Sequence, residues 1–119
     1  AQGSGSIINV ASIAGLKGMP KNIAYSASKH AVVGMTRTAA MEYAKFGIRV
    51  NALCPVFTPT GMFNPKHFPD HIMKTFEDAI PMKRFATVEE MGHAMMYLTS
   101  DAASFVTGHA MPVDGGLIA

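Results

Sequence analysis

Two short runs rich in β-branched and apolar residues, 6–11 (SIINVA) and 48–54 (IRVNALC), flank a proline-free, alanine-rich stretch at 23–46. Mainly apolar runs of six and seven residues without strict alternation fit buried strands, and the stretch between them is long enough for a helix of about six turns. Gly47 stands where a helix C-cap glycine belongs, and Gly15, Gly18 and Pro20 place a loop between the first run and the helix. Pro55 ends the second run and opens a stretch to position 69 that holds four prolines and one glycine, a long loop of the functional or mobile kind. A short amphipathic helix follows at 69–79. Thr87-Val88-Glu89-Glu90 has the spacing of a capping box and opens another helix to about Thr99. Gly108 introduces a third strand at 109–114, closed by Gly115-Gly116. The order β-α-β-α-α-β predicts one α/β domain over 1–119, with a parallel sheet and right-handed helical crossovers.

Composition narrows the function classes. Hydrophobic residues make up 49% of the 119, enough to bury a core, which excludes a disordered chain. The net charge is only +2 and Lys83-Arg84 is the sole adjacent basic pair, so no patch suits a nucleic-acid backbone. No apolar run approaches the roughly 18 residues of a membrane span. The single Cys54 gives no sign of an oxidising compartment, and cytoplasm is the default expectation. The first five residues have no Met and run almost straight into a strand, so the start reads as a cut in a longer polypeptide.

Tyr25 and Lys29, four residues apart on the long helix, project from one face about one turn apart. A free phenol has a pKa near 10, and moving it about 3 units toward neutrality takes about 4 kcal/mol. One ammonium at roughly 4 Å supplies about that much at an effective dielectric of about 20. A phenol so tuned exchanges a proton with a carbonyl or hydroxyl. Ser12 ends the first strand and Cys54-Pro55 the second, and strand ends on one edge are where a parallel sheet presents its chemistry. Three segments therefore converge on one edge.

Other candidates carry less. His67 and His71 have a metal-like spacing, but Pro69 lies between them and no carboxylate-rich partner is near, so they read as solvated loop residues. Cys54 has no charged neighbour in sequence to activate it and reads as a buried apolar side chain. A nucleophile elbow around Ser12 needs glycine at 10 and 14, where the chain has Val10 and Ala14. Met91, Met95 and Met96 fall at helical positions and read as core filling. Ala27, Ala31 and Gly34 form a small-residue stripe that reads as packing against the sheet.

The segments INVASIAG at 8–15, YSASK at 25–29 and RVNALCPV at 49–56, followed in order by PMKRFATVEEM at 81–91, SDAASFVTG at 100–108 and PVDGG at 112–116, resemble the C-terminal half of the short-chain dehydrogenase/reductase family. The resemblance covers essentially the whole chain. It implies half of a doubly wound, Rossmann-type domain, from an enzyme that moves hydride between NAD or NADP and a secondary alcohol or ketone. It implies that Ser12 orients the substrate carbonyl, that Tyr25 is the acid/base, and that Lys29 binds the nicotinamide ribose and tunes Tyr25. Pro55, Val56 and Thr58 are implied to lie along the nicotinamide, and Thr60 near the phosphates. Val56 departs from the pattern, since the family usually has glycine there, and its side chain stands to crowd the nicotinamide pocket or alter the turn.

The family's glycine-rich phosphate loop is not matched by any segment; Gly3-Ser4-Gly5-Ser6 precedes a strand instead of following one. The resemblance identifies the Pro-rich stretch as the substrate lid, and the cluster there of Phe57, Met62, Phe63, Phe68, Ile72, Met73 and Phe76 points to a partly apolar substrate such as a cyclic alcohol, a steroid-like ketone or a 3-oxoacyl group. The resemblance further implies a homo-oligomer, dimer or tetramer, with the long helix at a subunit interface. The alternative reading is a non-catalytic relative that uses the scaffold for binding or assembly.

Overall fold

The computed structural model of the chain describes residues 3–59 and 64–119. Strands β1 (Gly5–Val10), β2 (Ile48–Pro55) and β3 (Ala110–Val113) form one parallel sheet in the order β1-β2-β3. Helix α1 (Ile23–Tyr43) connects β1 to β2, while α2 (Asp70–Ala79) and α3 (Val88–Thr99) lie between β2 and β3. The architecture is the α/β order read from the sequence.

β2 is the middle strand and is packed on both faces, which is why its sequence shows no alternation. Ala52 and Cys54 pack with Ala11 and with Val33 of α1. Leu53, pointing the other way, lies with Met91 and Met95 of α3. The two helices therefore cover opposite faces of the sheet. Two polar side chains of β2 fasten the chain that leads into β3. The buried Asn51 donates through Nδ2 to the Val106 carbonyl (3.0 Å) and accepts the His109 N–H (3.0 Å). Arg49 donates to the carbonyls of Leu98 (2.8 Å) and Ser100 (3.3 Å), which the end of α3 leaves without intrahelical partners, and to that of Val106 (3.2 Å) in the chain leading to β3.

The ends of the elements follow from local chemistry. After Tyr43 the long helix tightens into a 3-10 turn over Ala44–Phe46 and stops at Gly47, whose φ of +76° is left-handed. A Cβ there would collide with the Gly3 carbonyl, so glycine is required twice over. β2 runs one residue past its expected end. Pro55 sits in register with Val113, and as the last residue of the strand its missing N–H interrupts little of the ladder.

Two readings of the packing are corrected. Ala27, Ala31 and Gly34 are exposed and do not face the sheet; the sheet-facing side of α1 is Val33, Thr36 and Ala40, all buried. Thr36 can sit there because its hydroxyl donates to the Val32 carbonyl (2.8 Å) and accepts from Asn9 Nδ2 (3.0 Å). Of the three methionines read as core, Met91 is buried and Met95 is partly buried, while Met96 faces solvent.

The start of α3 is a complete capping box. Thr87 Oγ1 accepts the Glu90 N–H (3.1 Å), and Glu90 Oε2 accepts the Thr87 N–H (2.8 Å). Arg84 grips the same carboxylate bidentately, at 2.6 and 3.0 Å. The Arg84 hydrogen bonds, with help from the Thr87 amide, lower the Glu90 pKa from 4.5 to about 2. Because the folded value lies below the unfolded one, the stabilisation from this cap is complete above about pH 4.5 and is lost as the pH falls toward about 2. The difference in thermal unfolding midpoint between wild type and Glu90→Gln is therefore expected to be constant near neutrality and to shrink steadily below pH 4.5; a difference independent of pH down to 2.5 contradicts the assignment.

Candidate active site

The site is built where one turn presses on one helix. Ser12, two residues beyond the end of β1, is in extended conformation (φ −169°, ψ 164°) and caps a 3-10 turn over Ile13–Gly15, its Oγ accepting the Ala14 N–H (3.1 Å). That turn lies so close to α1 that a Cβ on Gly15 would stand 2.7 Å from the Lys29 carbonyl oxygen and 3.0 Å from a Val33 methyl. Only glycine permits this approach. The contact brings Ser12 beside the turn of α1 that bears Tyr25 and Lys29.

Lys29 is held from the other side. Its Nζ donates to the carbonyl of Val10, the last residue of β1 (3.2 Å), and lies 5.7 Å from the centre of the Tyr25 ring. The ammonium keeps two further donors. Ser12 is buried (8% exposed) and Tyr25 is partly open (38% exposed). Neither the hydroxyl hydrogen of Ser12 nor that of Tyr25 has an acceptor among the described residues, since the one bond at Ser12 Oγ is an accepted one. Two unspent O–H donors and a fixed cation thus border one cleft of about 620 Å³, within the usual range for a small-molecule site.

Pro55, Val56 and Thr58 form another wall of the same cleft, so six of the seven residues singled out in the sequence meet there. Thr60 lies outside the described residues, as do Met62 and Phe63. Val56 does not distort its turn, because its φ is not left-handed. Its side chain is buried against Ile13 and Ile80 while it also borders the cleft. Glycine is thus not needed for the backbone here, and the valine helps tie the end of β2 to the segment after α2.

The aromatic residues after β2 join this wall to α2. Phe57 lines the cleft and stacks on Phe76 (centroids 4.9 Å apart), which meets Phe68 edge-on at 5.7 Å; Phe57 also meets Phe85 edge-on at 6.4 Å. Met19 and Asn22, from the loop before α1, and Met95 border the cleft as well. Sequence patterns did not mark them for this role. Asn22 was accessible in principle, since it stands three residues before Tyr25 at the start of the helix. Cys54 lies beneath the site in the core. Burial pushes its thiol pKa up, opposed by the Ser12 backbone amide and by Arg37, which makes it a neutral packing group near pH 7. Among the described residues no cluster of His, Cys, Asp or Glu is arranged to hold a metal.

A family model described as enoyl-(acyl carrier protein) reductase matches residues 1–118. The chain belongs to the short-chain dehydrogenase/reductase family. Among curated members it is 47% identical over 116 residues to the 2,5-dichloro-2,5-cyclohexadiene-1,4-diol dehydrogenase of Sphingobium indicum, an alignment covering 97% of this chain and 46% of that protein. A crystal structure of gluconate 5-dehydrogenase from Burkholderia cenocepacia with NADP and tartrate superposes with a TM-score of 0.92 at 31% identity, over 98% of this chain and 46% of that one. NAD+-bound xylitol dehydrogenase superposes with a TM-score of 0.88 at 33% identity, over 97% and 50%. The chain thus spans about half the length of the family members it matches, which are NAD- or NADP-linked oxidoreductases with Rossmann folds.

The Gly15 contact gives a direct test of how this family member builds its site. Gly15→Ala is expected to destabilise the fold by about 1–3 kcal/mol, the usual cost of overpacking, whereas Gly18→Ala, where a Cβ meets nothing within 4 Å, is expected to change stability little. Denaturant unfolding of the two variants checks this, and equal stabilities would contradict the close packing of the turn on α1.

Proposed function

We propose that this chain is the catalytic and substrate-binding half of an NAD(P)-dependent alcohol dehydrogenase or ketone reductase. The carrying observation is the pair of unspent hydroxyl donors, Ser12 and Tyr25, beside the anchored ammonium of Lys29 in one apolar-walled cleft. A carbonyl oxygen is an acceptor with two lone pairs, and two O–H donors match it. In reduction, Ser12 holds the oxygen and Tyr25 gives it a proton; in oxidation, Tyr25 removes the proton from the alcohol. Lys29 places positive charge beside the phenol oxygen that becomes negative when the proton leaves.

The residues present fit one end of a dinucleotide. Lys29, with two donors left after bonding Val10, suits a ribose diol, and the segment Pro55, Val56 and Thr58 offers an apolar wall with a hydroxyl for a nicotinamide ring. When bound, that group supplies or takes up the hydride at the carbinol carbon. The sequence has no Gly-x-Gly-x-x-Gly turn for the pyrophosphate. Among the described residues β1 is paired on one side only, and its Ile7 and Val10 are half exposed at 50% and 49%. We therefore assign the phosphate loop, and a strand pairing with the free edge of β1, to polypeptide that precedes this chain in a longer protein. The outward Ala27, Ala31, Gly34 face of α1 serves self-association of that protein as a dimer or tetramer, in the cytoplasm.

For the substrate, an apolar, ring-shaped alcohol or ketone fits best. The cleft is lined by Met19, Val56, Phe57, Val88, Met91 and Met95, and the Sphingobium relative is named for a cyclohexadiene diol. Other structural relatives are named for gluconate and xylitol; the scarcity of polar lining groups on that wall disfavours such substrates here. A purely binding role for the scaffold gives no reason for two hydroxyl donors to be left open beside a fixed ammonium.

Tyr25→Phe in the full-length protein is expected to lower turnover of secondary alcohols by about 10²-fold or more, with circular dichroism and cofactor binding largely unchanged. Retention of more than about a tenth of the wild-type rate across a panel of cyclic and open-chain alcohols contradicts the role of Tyr25.

A further inference from the structure

Among the described residues Asp114 carries the one buried carboxyl group, 9% exposed, and neither ion pair there involves it. A buried polar group needs hydrogen-bond partners. Here both oxygens are taken by backbone amides: Oδ1 accepts the Gly116 N–H (3.0 Å) and Oδ2 the Ile118 N–H (3.0 Å). The Asp114 backbone carbonyl accepts the Leu117 N–H (3.2 Å). One residue thus winds 114–118 into a turn, which the left-handed Gly115 (φ +60°) and Gly116 (φ +91°) permit.

What this turn carries lies behind the active site. Leu117 and Ile118 pack against the cluster of Ile13, Val56 and Ile80. Ile13 and Val56 border the cleft, whereas Leu117, Ile118 and Asp114 do not. Ile13 follows Ser12 and opens the turn that Ser12 caps. Val56 stands on another wall, and its N–H donates to the carbonyl of Val113, the residue before Asp114 (3.3 Å). The turn is clamped from a third side as well: the Gly115 carbonyl accepts the Met82 N–H (3.2 Å), and a Cβ on Gly115 would stand 2.6 Å from an Ile80 methyl. Leu117 and Ile118 are thus braced between the Asp114 carboxyl group and the back of the cleft.

On the reading above that the cleft takes a nicotinamide beside the substrate carbonyl, we propose that Asp114 is a positioning residue: by bonding the Gly116 and Ile118 amides it holds Leu117 and Ile118 against the Ile13, Val56 and Ile80 cluster, and so fixes the gap between Ser12, which holds the substrate, and the wall that holds the nicotinamide. Hydride transfer depends on that gap, and a misplacement of about 1 Å can lose on the order of 10² in rate. The end of β3 therefore serves the site as the ends of β1 and β2 do, but from behind.

The test uses the full-length protein and its Asp114→Ala, Asp114→Asn, Ile118→Ala and Asp114→Ala/Ile118→Ala variants. The first readout needs neither substrate nor cofactor: hydrogen exchange of the Ala14, Gly15 and Leu16 amides, which are bonded within the turn after Ser12, against that of the Ala52 amide of β2, bonded to the His109 carbonyl. Exchange at the three turn amides is expected to quicken about tenfold in Asp114→Ala and in Ile118→Ala, with Ala52 as in wild type. With a secondary alcohol, kcat is expected to fall about tenfold or more in Asp114→Ala and less in Asp114→Asn, which keeps one acceptor oxygen. The double variant should be no slower than Asp114→Ala, because the two residues act in series. Ile118→Ala, which leaves the carboxyl group in place, carries the same comparison if Asp114→Ala does not fold. Exchange in Ile118→Ala that quickens at Ala52 as much as in the turn marks a general loss of stability and overturns the positioning role. A wild-type kcat in a variant whose turn has loosened, or losses that multiply in the double variant, overturns it too and leaves the oxidoreductase reading intact. A wild-type protein that turns over no alcohol or ketone removes that reading and this proposal with it.

Discussion

The approach of Gly15 to the Lys29 carbonyl is the contact on which the site depends. It leaves no room for even one carbon atom, and it sets the position of Ser12 relative to the helix that carries Tyr25 and Lys29. Reacting groups displaced by about 1 Å can lose on the order of 10² in rate, so a site assembled from two elements needs a contact that cannot drift. Backbone against backbone, with no flexible side chain between, is such a contact. The bond from Lys29 Nζ to the Val10 carbonyl closes the arrangement from the opposite side by tying the helix to the end of β1.

The rest of the fold holds the edge on which those groups sit. β2 is buried on both faces, and its two polar residues near the start, Arg49 and Asn51, spend their donors and acceptors on the end of α3 and the chain entering β3. That fixes the register of β3 against the C-terminal end of β2, where Pro55 and Val113 are paired. Asp114 then accepts the N–H groups of Gly116 and Ile118, and the left-handed Gly115 lies against Ile80 too closely for any side chain. Through Ile80 and Val56 this C-terminal turn reaches the wall of the cleft. Polar anchoring at one end of the strands thus supports chemistry at the other.

Much of this was legible in the residues. The apolar runs, the alanine-rich helix and the Thr87–Glu90 cap are local signals, and local signals survive into the structure because no tertiary contact opposes them. The convergence of Ser12, Tyr25, Lys29 and the Pro55 segment was legible because parallel strands put their C-terminal ends on one edge. Facing was harder to read. The helix α1 carries apolar residues around most of its circumference, so nothing in its pattern told the Ala27, Ala31, Gly34 side from the Val33, Thr36, Ala40 side. Lining residues such as Met19 and Asn22, from the loop before α1, and Met95, from α3, are far apart along the chain and meet only in the folded structure. At position 56 the turn expected to change does not, and the side chain both packs with Ile13 and Ile80 and borders the cleft, a double placement that exists only in three dimensions.

Two hydroxyls without acceptors among the described residues, Ser12 and Tyr25, are positioned to hold one substrate oxygen. A crystal structure of the full-length protein with cofactor and a bound cyclic ketone tests it most directly. The ketone oxygen is expected within about 2.6–3.2 Å of both Ser12 Oγ and Tyr25 Oη, with the Lys29 ammonium still on the Val10 carbonyl. A ketone seated in the cleft with its oxygen turned toward the Phe57 and Phe76 wall, and both hydroxyls bonded only to water, would contradict it.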